Sequence, residues 1–170
     1  GIPVYYADEV SRNLFENDPA IKNRIVNVFG NKVLDGQGSI NRKMVASFVF
    51  DDKKKLEALN AIIHPAVGDH FEQWLVIHKS ASYILKEAAI LFESGAYRQL
   101  DKVIAITAPE ALRISRVMKR DKVSKEEVQR RIAAQLTEEE RIGRSQFLIV
   151  NDGQELVIPQ VINVHQTLSI

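Results

Sequence analysis

Cysteine is absent from the 170 residues, which excludes a disulfide framework, thiolate chemistry and sulfur-ligated metal centres. No apolar run reaches membrane-spanning length and no signal peptide is visible, so a soluble cytosolic protein with no membrane partner is expected. Neither sign of charge dominates: 23 Lys and Arg stand against 22 Asp and Glu, a net charge of +1. Without a global basic field nucleic acid is not an expected partner, and any anion site must be a local cluster. Internal repeats and low-complexity tracts are lacking too.

What is there is one α/β domain, or a domain with a subdomain, long enough to bury about two-thirds of its unfolded surface. The local cluster lies between Val103 and Asn151. Val103-Ile104-Ala105-Ile106-Thr107 reads as a buried strand, and Ala108-Pro109-Glu110 starts a helix with proline in its first turn. On that helix Arg113, Arg116 and Arg120 fall within roughly 60° of one another at 100° per residue, while Ile114, Val117 and Met118 point toward a core. A second helix opens at Ser124, with Glu127 at capping-box spacing, and carries Arg130, Arg131 and Gln135. Guanidinium forks on two short helices can close over a polyphosphate; a solvated basic face laced with glutamate has the same pattern.

Upstream, Gly1 to Tyr6 is strand-like and Asp8 heads a helical segment, as a catalytic carboxylate at a strand end or as that helix's cap. Asp18 and Pro19 start a helix with Ile21, Ile25, Val28 and Phe29 on one stripe, closed by Gly30. Asp35 to Gly38 is a turn. Asn41 starts another helix whose apolar positions are Met44, Val45, Phe48 and Val49. Its first-turn Arg42 and Lys43 oppose the helix dipole and so imply an anion nearby. Asp51 opens a helix through Leu56, Leu59, Ile62 and Ile63 that should stop at His64-Pro65, after which Val67, Phe71, Trp74 and Leu75 turn inward on a further helix. His64 is then either a substrate contact at a helix break or a hydrogen-bonded loop residue. Tyr83-Ile84-Leu85 resumes the sheet, with Lys86 and Glu87 at its end and Glu93-Ser94-Gly95 breaking the chain. Phe147-Leu148-Ile149-Val150 is the last strand. A final helix carries Val157, Val161, Val164 and Leu168 inward, its first turns distorted by Pro159.

Gly1-Ile2-Pro3-Val4-x-x-Ala7-Asp8, Ile63-His64-Pro65, Leu91-Phe92-Glu93, Arg113-x-x-Arg116-x-x-x-Arg120-Asp121, Arg131-Ile132-x-x-Gln135 and Phe147-x-Ile149-x-Asn151-x-Gly153 follow one another in an order and spacing that resembles dephospho-coenzyme A kinase along nearly the whole chain. The resemblance implies a P-loop kinase fold: a parallel sheet flanked by helices, a helical insertion and a two-helix lid. The implied division is core over 1–21, 81–112 and 142–170, acceptor-binding insertion over 22–80 and lid over 113–141. The implied reaction moves the γ-phosphoryl of ATP, with Mg2+, to the ribose 3′-hydroxyl of dephospho-coenzyme A. By resemblance Asp8 is the base and Arg120 a second catalytic group. Arg113, Arg116, Arg120, Arg131, Gln135, Asn151 and Gly153 face ATP, while Asp8, Arg42, His64, Pro65, Glu87 and Glu93 face the acceptor.

Three departures accompany the match. Tyr6 replaces the first aspartate of the family's Asp-Ala-Asp triplet. Ser145-Gln146 replaces an Ala-Asp pair and Arg141 a lysine. The Gly-rich loop ending in Gly-Lys-Ser/Thr, which cradles phosphates and supplies the usual magnesium ligand, is not among these residues, so none of them is assigned to metal. A C-terminal portion of a complete enzyme is therefore expected, inactive by itself. The alternatives are a non-catalytic coenzyme A-binding module that has lost its ATP site, and a kinase for another nucleoside or nucleotide.

Overall fold

The computed structural model describes residues 1–50 and 52–169, which form two compact units, Gly1–Ala89 and Ile90–Ile170. In the first, β1 (Val4–Tyr6) pairs in parallel with β2 (Leu85–Glu87), Val4 opposite Leu85 and Tyr6 opposite Glu87. A parallel pair needs a long crossover, and four helices provide it: α1 (Ala7–Asn17), α2 (Pro19–Phe29), α3 (Arg42–Val49) and α4 (Lys53–Ile77). The Asp18 carboxylate takes the Ala20 and Ile21 amides, and Gly30 closes α2 at φ 78°, a left-handed conformation that suits glycine. Asn41 caps α3 through the Met44 amide, as its side chain predicts. The helices enclose Ile21, Ile25, Val33, Ile40, Val45, Ile62 and Ile63. A second core of Tyr5, Ala7 and Phe71 fixes the strand pair to α4, and Val67 packs against both.

Several expectations for this unit are corrected. The chain does not break at His64-Pro65: α4 runs through Pro65 for 25 residues. Burial of Ile62 and Ile63 before the proline and Phe71 after it holds the helix together against the lost hydrogen bond. The strand expected over Tyr83 to Leu85 is displaced to Leu85–Glu87. Lys86 is tolerated there because its Nζ lies 3.8 Å from the centre of the Phe71 ring. The apolar positions Val28, Met44 and Leu56 are exposed, since the buried stripes are narrower than the apolar pattern. Asp51 lies outside the described residues; Asp52 is the residue that caps α4, through the Lys55 amide.

In the second unit β3 (Ile104–Thr107) pairs in parallel with β4 (Phe147–Val150), the latter spanning the expected residues. Gln146, one of the departures from the family pattern, takes the Val103 amide on its side-chain oxygen at 2.8 Å and latches the start of β3. Between the strands run α5 (Glu110–Asp121), α6 (Lys125–Ala133) and α7 (Glu138–Gly143), and α8 (Val157–Leu168) packs against β4. Ile114 and Val128 are buried, but Met118 is exposed and Ile106 is 64% exposed. A strand is buried throughout only when layers cover both faces of its sheet, and this strand pair does not provide that around Ile106. Pro159 does not distort α8, because it is the third helical residue, where no intrahelical donor is needed. Of the apolar residues of α8, Val164 is buried and Val161 is exposed.

Candidate active site

Asp8 is not the cap of α1. That position falls to Tyr6, which offers no side-chain hydrogen bond, and leaves Asp8 as the second helical residue, exposed at the carboxyl end of β1. Asp8 and Glu9 both sit in the first turn, where the helix dipole favours negative charge. Glu87 ends β2 in register with Tyr6, beside the same turn. Its carboxyl is pushed above the usual glutamate range, first by partial burial and then by the charges of Asp8 and Glu9. A parallel strand pair thus gathers carboxylates at its carboxyl end, where α/β proteins place their ligands.

Beneath this edge lies Tyr5, 1% exposed, its hydroxyl donating to the Val67 carbonyl at 3.1 Å and 3.2 Å from His70 Nδ1. Burial pushes its phenol up to about 12. The Lys86 ammonium is pulled down by burial, an effect opposed by the Glu72 carboxylate. Arg42 answers an anion, as its unfavourable place on the dipole implied, but the anion is Glu16 of the same chain at 3.0 Å. His64 and Pro65 are exposed on α4. The carbonyl that Pro65 leaves without a helical donor, Ala61, accepts from Arg24 at 3.4 Å.

In the second unit the arginines that share a sequence face have separate partners. Arg113 Nη2 donates to Glu138 Oε2 at 2.6 Å, and the other oxygen of Glu138 accepts from the Thr107 hydroxyl at the end of β3. Arg116 Nη1 donates to the Asn151 carbonyl at 2.7 Å. Gly153, at φ 87°, leaves room beside Arg116, whose Nη2 would lie 4.0 Å from a β-carbon there. Arg120 forks onto both oxygens of Asp121, and Arg131 joins Asp121 to Glu127. Glu93 accepts from the Leu136 amide at 2.8 Å, next to the half-buried Gln135. The structure therefore brings Asp8 to Glu87, Arg120 to Arg131, and Arg116 to Asn151 and Gly153; Arg42 and His64 stand on other helices.

Asp121, Glu138 and Thr107 are partners that reading the arginines alone does not reveal. The Arg120-Asp121 doublet marked the first. A complete capping box at Thr137 and Glu140 fixes the start of α7, and with it Glu138. Ser124 accepts from the Glu127 amide, but the Glu127 carboxylate turns to Arg131 instead of closing a second box.

Parallel strand pairs flanked by helices, with carboxylates at one strand end and a pair of arginine-bearing helices, define a mixed α/β protein. Comparison with known proteins makes this specific: the family model for dephospho-CoA kinase matches residues 1–156, and the chain belongs to that family. It is 36% identical over 164 residues to a dephospho-CoA kinase of Bacteroides fragilis, covering 96% of this chain and 80% of the relative. A dephospho-CoA kinase of Chlorobaculum tepidum is 36% identical over 175 residues, covering 99% and 84%. Among solved structures, one from Thermus thermophilus superposes with a TM-score of 0.88 at 29% identity, covering 98% of this chain and 84% of that one. The dephospho-CoA kinase from Campylobacter jejuni gives 0.67 at 29% identity, covering 99% and 86%. Among the described residues, no helix is long and apolar enough to cross a membrane.

Proposed function

We propose that the chain carries the acceptor side and the arginine lid of an enzyme that transfers the γ-phosphoryl of ATP to the ribose 3′-hydroxyl of dephospho-coenzyme A. The observation that carries this reading is the family match over residues 1–156. The geometry supports the assignment of Asp8 as general base: it is exposed at a strand end and its carboxylate is not used as a cap. A carboxylate there takes the proton of the attacking hydroxyl as the new P–O bond forms. Glu87 sets the local charge around it. Arg42, His64, Pro65 and Glu93 complete the acceptor side in this reading, with residues 22–80 as the acceptor-binding insertion.

On the ATP side we assign α5 and α6, within 113–141, as a lid. Arg120 is the arginine best placed to meet phosphate oxygens, since its side chain is 75% exposed. Arg116 holds the Asn151 loop, and Gln135, Asn151 and Gly153 complete that side. Arg113 and Arg131 are engaged by carboxylates and act as braces. Magnesium accompanies ATP in such reactions, where it neutralises charge on the phosphates. Among the described residues no group of three or more carboxylate or imidazole ligands is placed to hold a metal ion, so no step is assigned to one.

A coupled ADP assay with ATP and dephospho-coenzyme A on the full-length enzyme tests the reading; ADP release independent of the acceptor would overturn it. A polypeptide limited to these 170 residues lacks the Gly-Lys-Ser/Thr loop. We expect it to bind dephospho-coenzyme A measurably in calorimetry, to bind ATP weakly and to show no transfer above background. Robust turnover by that polypeptide would refute the division of labour between lid and loop.

A further inference from the structure

We propose that Asp121 is a positioning residue for phosphate capture, gripping one edge of the Arg120 guanidinium so that the opposite edge is presented to anionic oxygens of the bound nucleotide. This rests on the ATP reading above. Asp121 Oδ1 accepts from Arg120 Nε at 2.7 Å and Oδ2 accepts from Nη2 at 3.2 Å. Those two nitrogens form the side edge of the guanidinium. Nη1 and the second hydrogen of Nη2 remain along the end edge, and a guanidinium has enough donors to hold two bidentate acceptors at once.

Arg131 is used differently. Its Nη1 donates to Asp121 Oδ2 at 2.8 Å and its Nη2 to Glu127 Oε1 at 2.6 Å, so both terminal nitrogens are committed to carboxylates. Arg131 anchors Asp121, and Asp121 orients Arg120. The Arg120 side chain is 75% exposed, against 48% for Arg131 and 25% for Asp121, so Arg120 is the most open of the three.

The backbone explains how neighbouring residues come to pair. Within a helix, residues i and i+1 point apart. Asp121, however, is the last residue of α5, and Lys122 follows at φ 56° and ψ 41°, a left-handed turn that reverses the chain into α6. The bracket therefore sits on the hinge between the two helices. The fork raises the Arg120 pKa and lowers that of Asp121, so both stay charged at neutral pH.

Charge counting separates positioning from mere repulsion. Arg120 and Arg131 are balanced by Asp121 and Glu127, so this cluster has no net attraction for phosphate, and capture depends on the geometry of the offered edge. Removing the Asp121 charge would help an anion bind if Asp121 only repelled it. It would hinder binding if Asp121 orients the fork.

The test is steady-state kinetics and ATP calorimetry on the full-length enzyme. Asp121→Asn should raise KM for ATP by about tenfold, with the KM for dephospho-coenzyme A within about twofold of wild type. Asp121→Glu, which keeps a carboxylate, should recover part of the loss. Arg120→Lys should reduce kcat/KM for ATP in the wild type but add little in the Asp121→Asn background, because the two act through one guanidinium. An unchanged or lower KM for ATP, or equal costs of Arg120→Lys in both backgrounds, overturns the proposal. So does a loss that raises both KM values together with a lowered Tm, which marks a structural bracket. If Asp121→Asn is too unstable to assay, an Arg120→Lys variant that folds and shows an unchanged kcat/KM for ATP overturns it equally. A wild type without acceptor-dependent ATP consumption overturns the kinase reading itself and this inference with it.

Discussion

Arg24 donates to the Ala61 carbonyl at 3.4 Å, the acceptor that Pro65 cannot serve because it has no N–H. A proline inside a helix costs roughly 3 kcal/mol relative to alanine, part of which it returns by restricting the unfolded chain. Pro65→Ala should therefore stabilise the protein by about 1–2 kcal/mol, read as a Tm increase in thermal unfolding. Arg24→Met should cost less in that background than in the wild type, since the restored amide bond replaces the arginine. A lowered Tm for Pro65→Ala would mean that the proline is needed for packing between the two cores. If Pro65 belongs to the acceptor site, the stabilised variant should also lose affinity for dephospho-coenzyme A.

The Tyr5 hydroxyl gives a pH prediction with a defined sign. Its pKa is about 12 in the folded protein against 10.0 ordinarily. Between those values the folded state retains a proton that the unfolded chain has released, so stability falls as pH rises from 10 through 12. The phenolate absorbance of the wild type minus that of Tyr5→Phe should show this late titration. A Tyr5 signal complete near pH 10 would show that the phenol is in contact with water.

Much of this arrangement was legible in the chain, and the illegible parts have physical causes. Side chains that act on their own next turn were readable: Asp18 before Pro19, Asn41 at α3, Ser124 at α6. The apolar, β-branched run of β4 was readable because it matches its strand end to end. Pro65 misled because a local steric rule met burial on both sides of it, and burial prevailed. Lys86 misled because a charge in a strand is acceptable only when an aromatic face lies beneath it, a contact made by a residue distant in sequence. The arginine face was visible from periodicity and Asp121 from its place beside Arg120, but the Arg113 partner, Glu138, required α7 to be folded back. Asp8 was visible as a carboxylate at a strand end, whereas its freedom from capping depended on α1 starting at Ala7, two residues before the start that a cap at Asp8 would give.

Glu138 ties α7 to both α5 and β3, accepting from Arg113 and from the Thr107 hydroxyl. Both side chains of the ion pair are less than a third exposed. Glu138→Gln should therefore destabilise by about 1–3 kcal/mol, because a partly buried guanidinium loses its counter-charge. If Arg113 is a brace, Arg113→Lys should lower Tm while leaving the KM for ATP within about twofold. A raised KM for ATP at unchanged Tm would return Arg113 to the phosphate site.

Asp8 and Glu87 are coupled, and the coupling tests the catalytic assignment independently of the kinetics. In the full-length enzyme Asp8→Asn should lower kcat by about 10²- to 10⁴-fold with acceptor affinity nearly unchanged, as expected when a general base is lost and the binding surface is kept. The same substitution removes one of the charges that raise the Glu87 pKa, so the Glu87 carboxyl should titrate at lower pH in the variant. Because Glu87 is raised in the folded state, its contribution to stability is most favourable at acid pH. That contribution declines as pH rises from the ordinary glutamate value through the folded one. Asp8→Asn should flatten the decline. Carboxyl-resolved NMR titration of both proteins measures the shift, and the coupled assay measures kcat. A retained kcat would remove Asp8 from the chemistry even if Glu87 shifts as expected. A lost kcat with an unmoved Glu87 would instead keep Asp8 as base and exclude its charge as the cause of the Glu87 perturbation.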